Sequence, residues 1–153
     1  MSILMQPIAQ VRGGRSEVRD DRWGDVQAVI ELDRAQFDVD ALAGLDAFSH
    51  AIVVYVFDQV APERIETGAR HPRNNAAWPK VGIFAQRGKN RPNRIGVSTC
   101  RILRVEGLQV FVQGLDAIDG TPVLDIKPYM RAFDPRGAVH EPEWVREIMA
   151  EYW

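Results

Sequence analysis

Apolar and polar residues alternate with a period of two along most of the chain, the spacing of half-buried strands. Residues 3–11 read as a first strand interrupted at Pro7, which suits a sheet edge or a bulge. Residues 26–32 (VQAVIEL) read as a second. Residues 51–57 (AIVVYVF) form an unbroken run of strand formers, the signature of a strand covered on both faces. Residues 81–86 predict another strand. In 95–105, Ile95, Val97 and Thr99 alternate with Gly96, Ser98 and Cys100; after a Glu106-Gly107 turn signal, 108–113 alternates again, so the pair predicts a β-hairpin. Residues 122–126 read as a last short strand. Asp38 or Asp40 can cap a short helix over 42–45 that ends near Gly44. The one long helical pattern is 141–152 (EPEWVREIMAEY), with Pro142 in its first turn and Trp144, Ile148 and Tyr152 on one face. Together these predict a mainly β chain, a small antiparallel β-barrel of six or seven strands with a short helix and a C-terminal helix, in one domain over 1–153. Closure hides the edges of so small a sheet.

Two stretches lack periodicity, 58–79 and 87–94 (RGKNRPNR). Long irregular loops are usually functional or disordered, and the charge pattern singles out the same region. The chain has 19 basic and 21 acidic side chains, a net charge of −2. Yet no Asp or Glu occurs between Glu66 and Glu106, a window holding Arg70, Arg73, Lys80, Arg87, Lys89, Arg91, Arg94, Arg101 and Arg104. Such segregation presents a positive face to an anion, unless it is chance clustering on a solvated surface.

Composition excludes several classes. With 46% hydrophobic and 26% charged residues over 153 positions, the chain is an ordinary globular sequence. Cys100 stands alone, which excludes an internal disulfide framework and a cysteine-cluster metal site. No apolar run has the length of a membrane span, and residues 1–12 lack a signal-peptide pattern, so a cytoplasmic location is expected. His50, His71 and His140 show no ligand spacing, and no metal is expected. Dinucleotide, P-loop, zinc-protease and GxSxG signatures are absent.

Candidate chemistry lies in two turns. RGKNRPNRIG places four cations within eight residues, and an arginine there can grip a carboxylate or phosphate with two parallel hydrogen bonds. A basic hairpin tip in solvent would have the same composition. LDAIDGTPVLDIKPY sets Asp116, Asp119 and Asp125 among apolar residues, where acids need partners or ligands, although an Asp-Gly turn and capped loop ends would also account for them.

The segments VGIFAQRGKNRPNRIGVS, GLDAIDGTPVLDIKPY and LAGLDAFSHAIVVYVFDQ, covering roughly residues 42–130, resemble the three conserved blocks of the TsaA-like, or TrmO-type, family. The resemblance implies a small β-barrel that binds S-adenosylmethionine without a Rossmann fold, forms a homodimer, and methylates N6 of threonylcarbamoyladenosine 37 in tRNA. It places Gln59, Phe84, Arg87, Arg91, Asn93, Val97, Leu115, Asp116, Asp119, Gly120, Thr121, Leu124 and Lys127 on the cofactor side. Asp116 or Asp119 would hold ribose hydroxyls or the amino group, and Arg87 the methionine carboxylate or a tRNA phosphate. Lys89, Arg91 and Arg94 fall where tRNA backbone would be held. Asp125 and Tyr129 are the candidates for a general base, and Tyr129 or Phe84 for stacking on a base.

The departures from the family pattern are specific. Asp58 replaces a histidine, Gln86-Arg87-Gly88-Lys89 replaces Thr-Arg-Ser-Pro, and Arg94 replaces a proline. The family's Pro-Arg-Gln segment near the N-terminus has only RDDRW (19–23) in its region. These changes leave room for a same-fold methyltransferase acting on a small molecule or other nucleophile, or for a non-catalytic RNA-binding or cofactor-sensing barrel. Whichever holds, the reading requires the cationic turn and the Asp116–Gly120 turn to converge in space.

Overall fold

A computed structural model describes residues 1–153. Six strands close into an antiparallel barrel: β1 (Ala9–Arg12), β2 (Gln27–Leu32), β3 (His50–Val56), β6 (Ile95–Glu106), β7 (Gln109–Gln113) and β8 (Pro122–Pro128), in the order β1-β2-β7-β6-β3-β8. A separate two-stranded ribbon pairs β4 (Ala69–Arg70) with β5 (Val81–Gly82). One short helix, α1 (Glu143–Ile148), follows the barrel.

Period two becomes inside and outside. Val11, Ile30, Val53, Val110, Val112 and Val123 point inward and are fully buried. In β3 only Ala51, Val53 and Tyr55 are buried, while Ile52, Val54 and Val56 stay half-buried on the outer face, so the run is not covered on both sides. In β6 the inward set is Gly96, Ser98 and Cys100, and the bulkier Val97 and Thr99 face out. The reason is Tyr55, whose ring fills the barrel at that level. A Cβ at position 96 would lie 2.4 Å from Tyr55 Cε2, so only glycine fits opposite the ring.

Several boundaries differ from the sequence pattern. Residues 1–8 form no strand: only Ile8 among them has backbone partners, Val123 and Asp33, and Met1, Ile3, Leu4 and Met5 are exposed. After β5 the chain enters a tight 3₁₀ turn, Ile83–Ala85, rather than continuing as a strand. The short helix over 42–45 is replaced by turns and a 3₁₀ turn, Leu45–Ala47. The long helix shrinks to Glu143–Ile148, so Tyr152 lies beyond it in a turn.

The direction of the strands matters most for function. β3 and β7 end, and β6 and β8 begin, at the same end of the barrel. The connections 57–94 and 114–121 therefore share one rim with 13–26, the link between β1 and β2.

Candidate functional site

The connection 57–94 is irregular in sequence but built in structure. Buried Gln86 donates from Nε2 to the Arg70 and Val81 carbonyls at 3.1 and 2.9 Å, and its own carbonyl accepts Arg91 Nη1 at 2.8 Å. Arg94 Nη1 donates to the Val60 carbonyl at 2.8 Å, tying the RPNR turn to the loop after β3. Arg87 Nη2 donates to the Val97 carbonyl at 2.6 Å. Each arginine spends one of five N–H groups this way and keeps the others. Asn93 and Arg94 both adopt left-handed conformations, with φ of 62° and 52°. A proline at 94 could not adopt that φ, so the departure at this position carries a different turn geometry.

Of the nine cations in the acid-free window, only Arg73 and Arg104 have carboxylate partners. Arg73 pairs with Asp21 at 2.8 Å, and Arg104 pairs with Glu106 while lying over the Phe111 ring. Lys89 is half-buried, Asn93 is exposed, and Gln59 is exposed in the turn after β3. Phe84 projects from its 3₁₀ turn with 77% exposure.

On the same rim, Leu115 is buried and anchors the 114–121 loop in the core. Next to it, the half-buried Asp116 carboxylate collects three hydroxyl groups. The Tyr55 hydroxyl donates to Asp116 Oδ1 at 2.9 Å, the Ser98 hydroxyl donates to the same oxygen, and the Tyr152 hydroxyl donates to Oδ2. Burial first, and then the Asp116 charge, hold both tyrosine hydroxyls protonated well above their ordinary range. The same two causes push the Cys100 thiol up to about 12. Arg87 bonds the carbonyl of Val97, the residue before Ser98, which itself bonds Asp116, so the cationic turn lies beside the Asp116 group.

The remaining acids of the motif serve elsewhere. Asp119 Oδ1 accepts the Gly13 amide at 2.8 Å, and Gly120, at φ 85°, donates its amide to the Val11 carbonyl, so this turn pins the 13–26 link to the rim. The Thr121 hydroxyl donates to the Ile118 carbonyl at 2.7 Å and closes the same loop. Asp125 lies on the outer face opposite Val54, 2.9 Å from Lys127 Nζ, with Leu124 beside it. Tyr129 packs edge-on against His50 at the other end of the barrel, its hydroxyl on Asp134. Within one copy of the chain, then, Arg87, Val97, Leu115 and Asp116 come together; Leu124 and Asp125 lie on the outer face, with Val54 between Asp125 and Val97, and Lys127 and Tyr129 lie further along the chain. Tyr55, Ser98 and Tyr152 are the side chains that sequence reasoning missed. The inward placement of the small Gly96-Ser98-Cys100 set beside a tyrosine-bearing strand was the one available signal for the first two.

The tRNA-methyltransferase O N-terminal domain model matches residues 19–135. The chain belongs to this family. A mouse (Mus musculus) tRNA (adenine(37)-N6)-methyltransferase is 43% identical over 94 residues, 61% of this chain and 21% of that protein. A "Probable S-adenosyl-L-methionine-binding protein" of Archaeoglobus fulgidus is 37% identical over 98 residues, 64% of this chain and 25% of that protein. The chain thus spans about a fifth to a quarter of these relatives. Crystalline TrmO from Pseudomonas aeruginosa superposes with a TM-score of 0.72 at 31% identity, covering 91% of this chain and 61% of that one. The TrmO family barrel expected from the three sequence blocks is therefore the fold observed.

Proposed function

We propose that this TrmO-family barrel is an S-adenosylmethionine-dependent methyltransferase that modifies N6 of threonylcarbamoyladenosine 37 in tRNA. The observation that carries the reading is the meeting of the Arg87 loop and the Asp116 loop on one rim, through bonds to the adjacent residues Val97 and Ser98, in a chain of this family.

The donor set suits the cofactor. A carboxylate has about four acceptor positions. Tyr55 and Ser98 occupy two on Oδ1 and Tyr152 one on Oδ2, leaving one for a ribose hydroxyl or an amino group. The Arg87 guanidinium, with no carboxylate partner in the protein, suits the amino-acid carboxylate. When bound, the sulfonium supplies the methyl group. The protein's own task is to orient the donor: Asp116 and Arg87 give fixed charges of opposite sign, and Leu115 anchors the Asp116 loop in the core. Seven window cations without carboxylate partners suit an RNA backbone, Lys89, Arg91 and Arg94 among them. A homodimer would add a second rim to each site.

The test is mass analysis of tRNA nucleosides from a deletion strain, with purified protein and labelled S-adenosylmethionine added back. Loss of the N6-methylated nucleoside and its restoration are expected. An unchanged nucleoside profile together with label on a small molecule would overturn the tRNA assignment. No thermal shift at millimolar S-adenosylmethionine would overturn the cofactor.

A further inference from the structure

We propose that Tyr152, which lies outside the family-matched segment, is a positioning residue that fixes the Asp116 carboxylate for the methyl donor. This rests on the donor reading above. The family match ends at 135, so nothing in the matched segment assigns a role to the residues after α1.

Their placement is specific. The Trp23 amide donates to the Tyr152 carbonyl and the Arg22 amide to the Glu151 carbonyl, each at 2.8 Å, which lays this segment along the 13–26 link. Glu147 of α1 accepts Trp78 Nε1 at 2.8 Å, which ties the helix to the connection carrying the acid-free window. Tyr152 meets Trp153 edge-on, with centroids 4.8 Å apart. Held at these points, the tyrosine turns its hydroxyl onto Asp116 Oδ2.

Division of labour on the carboxylate makes this hydroxyl decisive. Tyr55 and Ser98 both act on Oδ1 and hold that oxygen in the barrel. Only Tyr152 acts on Oδ2, the oxygen with the remaining acceptor position. Without it Oδ2 loses its only side-chain partner, and the plane of the carboxylate is set by one oxygen alone. A ligand must then order the group itself, which lowers affinity.

A double-mutant cycle on S-adenosylmethionine affinity, measured by titration calorimetry, tests the proposal. Wild type, Tyr152→Phe, Asp116→Asn and the double variant are compared. Tyr152→Phe is expected to weaken binding about tenfold, the scale of one hydrogen bond to a charged group. Asp116→Asn is expected to weaken it at least as much, and the double variant no further than Asp116→Asn. Unchanged affinity in Tyr152→Phe overturns the proposal. So do losses that add in the double variant, because Tyr152 would then act independently of Asp116. Thermal unfolding of the same four proteins without ligand reads the contact separately. If wild type binds no S-adenosylmethionine, the donor reading falls, while coupling in the melts upholds the positioning of Asp116 and additive melts overturn it.

Discussion

Asp116 and Asp125 stand nine positions apart in one sequence block, yet the barrel sorts them into different worlds. Asp116 lies on the rim, half-buried, with three hydroxyl donors drawn from Tyr55, Ser98 and Tyr152. Asp125 lies on the outer wall, its side chain 46% exposed, with a lysine two residues away for company. A carboxylate with several fixed donors in a poorly solvated place is held in one geometry, whereas an exposed ion pair is screened and mobile. Membership of a motif therefore does not assign a role. Position on the cylinder does, and it favours the rim acid for holding a ligand.

The sharpest way to break this contrast is to neutralise each acid. Asp116→Asn should weaken S-adenosylmethionine binding by about thirtyfold or more and cost about 2 kcal/mol of stability, since hydrogen bonds to a charged group are lost inside. Asp125→Asn should change binding less than about twofold and stability by under about 0.5 kcal/mol. Equal effects in calorimetry and denaturant melts would erase the distinction.

A smaller effect comes from the glycine behind Tyr55. Gly96→Ala brings a methyl group into the tyrosine ring, and overpacking of this kind costs about 1–3 kcal/mol. It should also weaken donor binding severalfold, because Tyr55 then moves on Asp116. Gly82→Ala, with nothing within 4 Å of the added carbon, is the outer control and should be nearly neutral.

The mildest test is alkaline pH. Tyr55, Tyr152 and Cys100 all keep their protons in the folded protein at pH values where the unfolded chain releases them. The folded state then binds more protons, so stability must fall as pH rises past about 9 and continue falling toward 12. A loss of roughly 5 °C in melting temperature between pH 8 and 10.5 is expected. Tyr152→Phe should flatten that slope, and Tyr129→Phe on the outer side should alter it less.

Much of this architecture was readable in advance, for reasons that also explain the failures. β2 and the β6–β7 hairpin follow from alternation because each has one face in the core, whereas β3 was legible as an unbroken run of strand formers whose outer face stays half-buried. Residues 3–7 are as apolar but make no backbone ladder bonds, and strand formation depends on pairing rather than pattern. The 3₁₀ turn at Ile83–Ala85 arises from Gln86, whose amide must reach two carbonyls of the ribbon. At the site, Arg87 and Asp116 were legible as charged residues in conspicuous turns. Tyr152 was not: it looked like one more apolar position on a helical face, and its task depends on where the chain returns after α1. The departures Gln86 and Arg94, which sequence alone could only flag, turn out to bind the loop together, their side chains donating to the carbonyls of Arg70, Val81 and Val60.

The hydroxyl clamp on Asp116 has a consequence for timing during biosynthesis. Its members sit at positions 55, 98, 116 and 152, so the carboxylate is not fully held until residue 152 has left the ribosome. A nascent chain already long enough to close the cylinder would still carry an unfinished rim, with Asp116 Oδ2 lacking its hydroxyl donor until Tyr152 arrives.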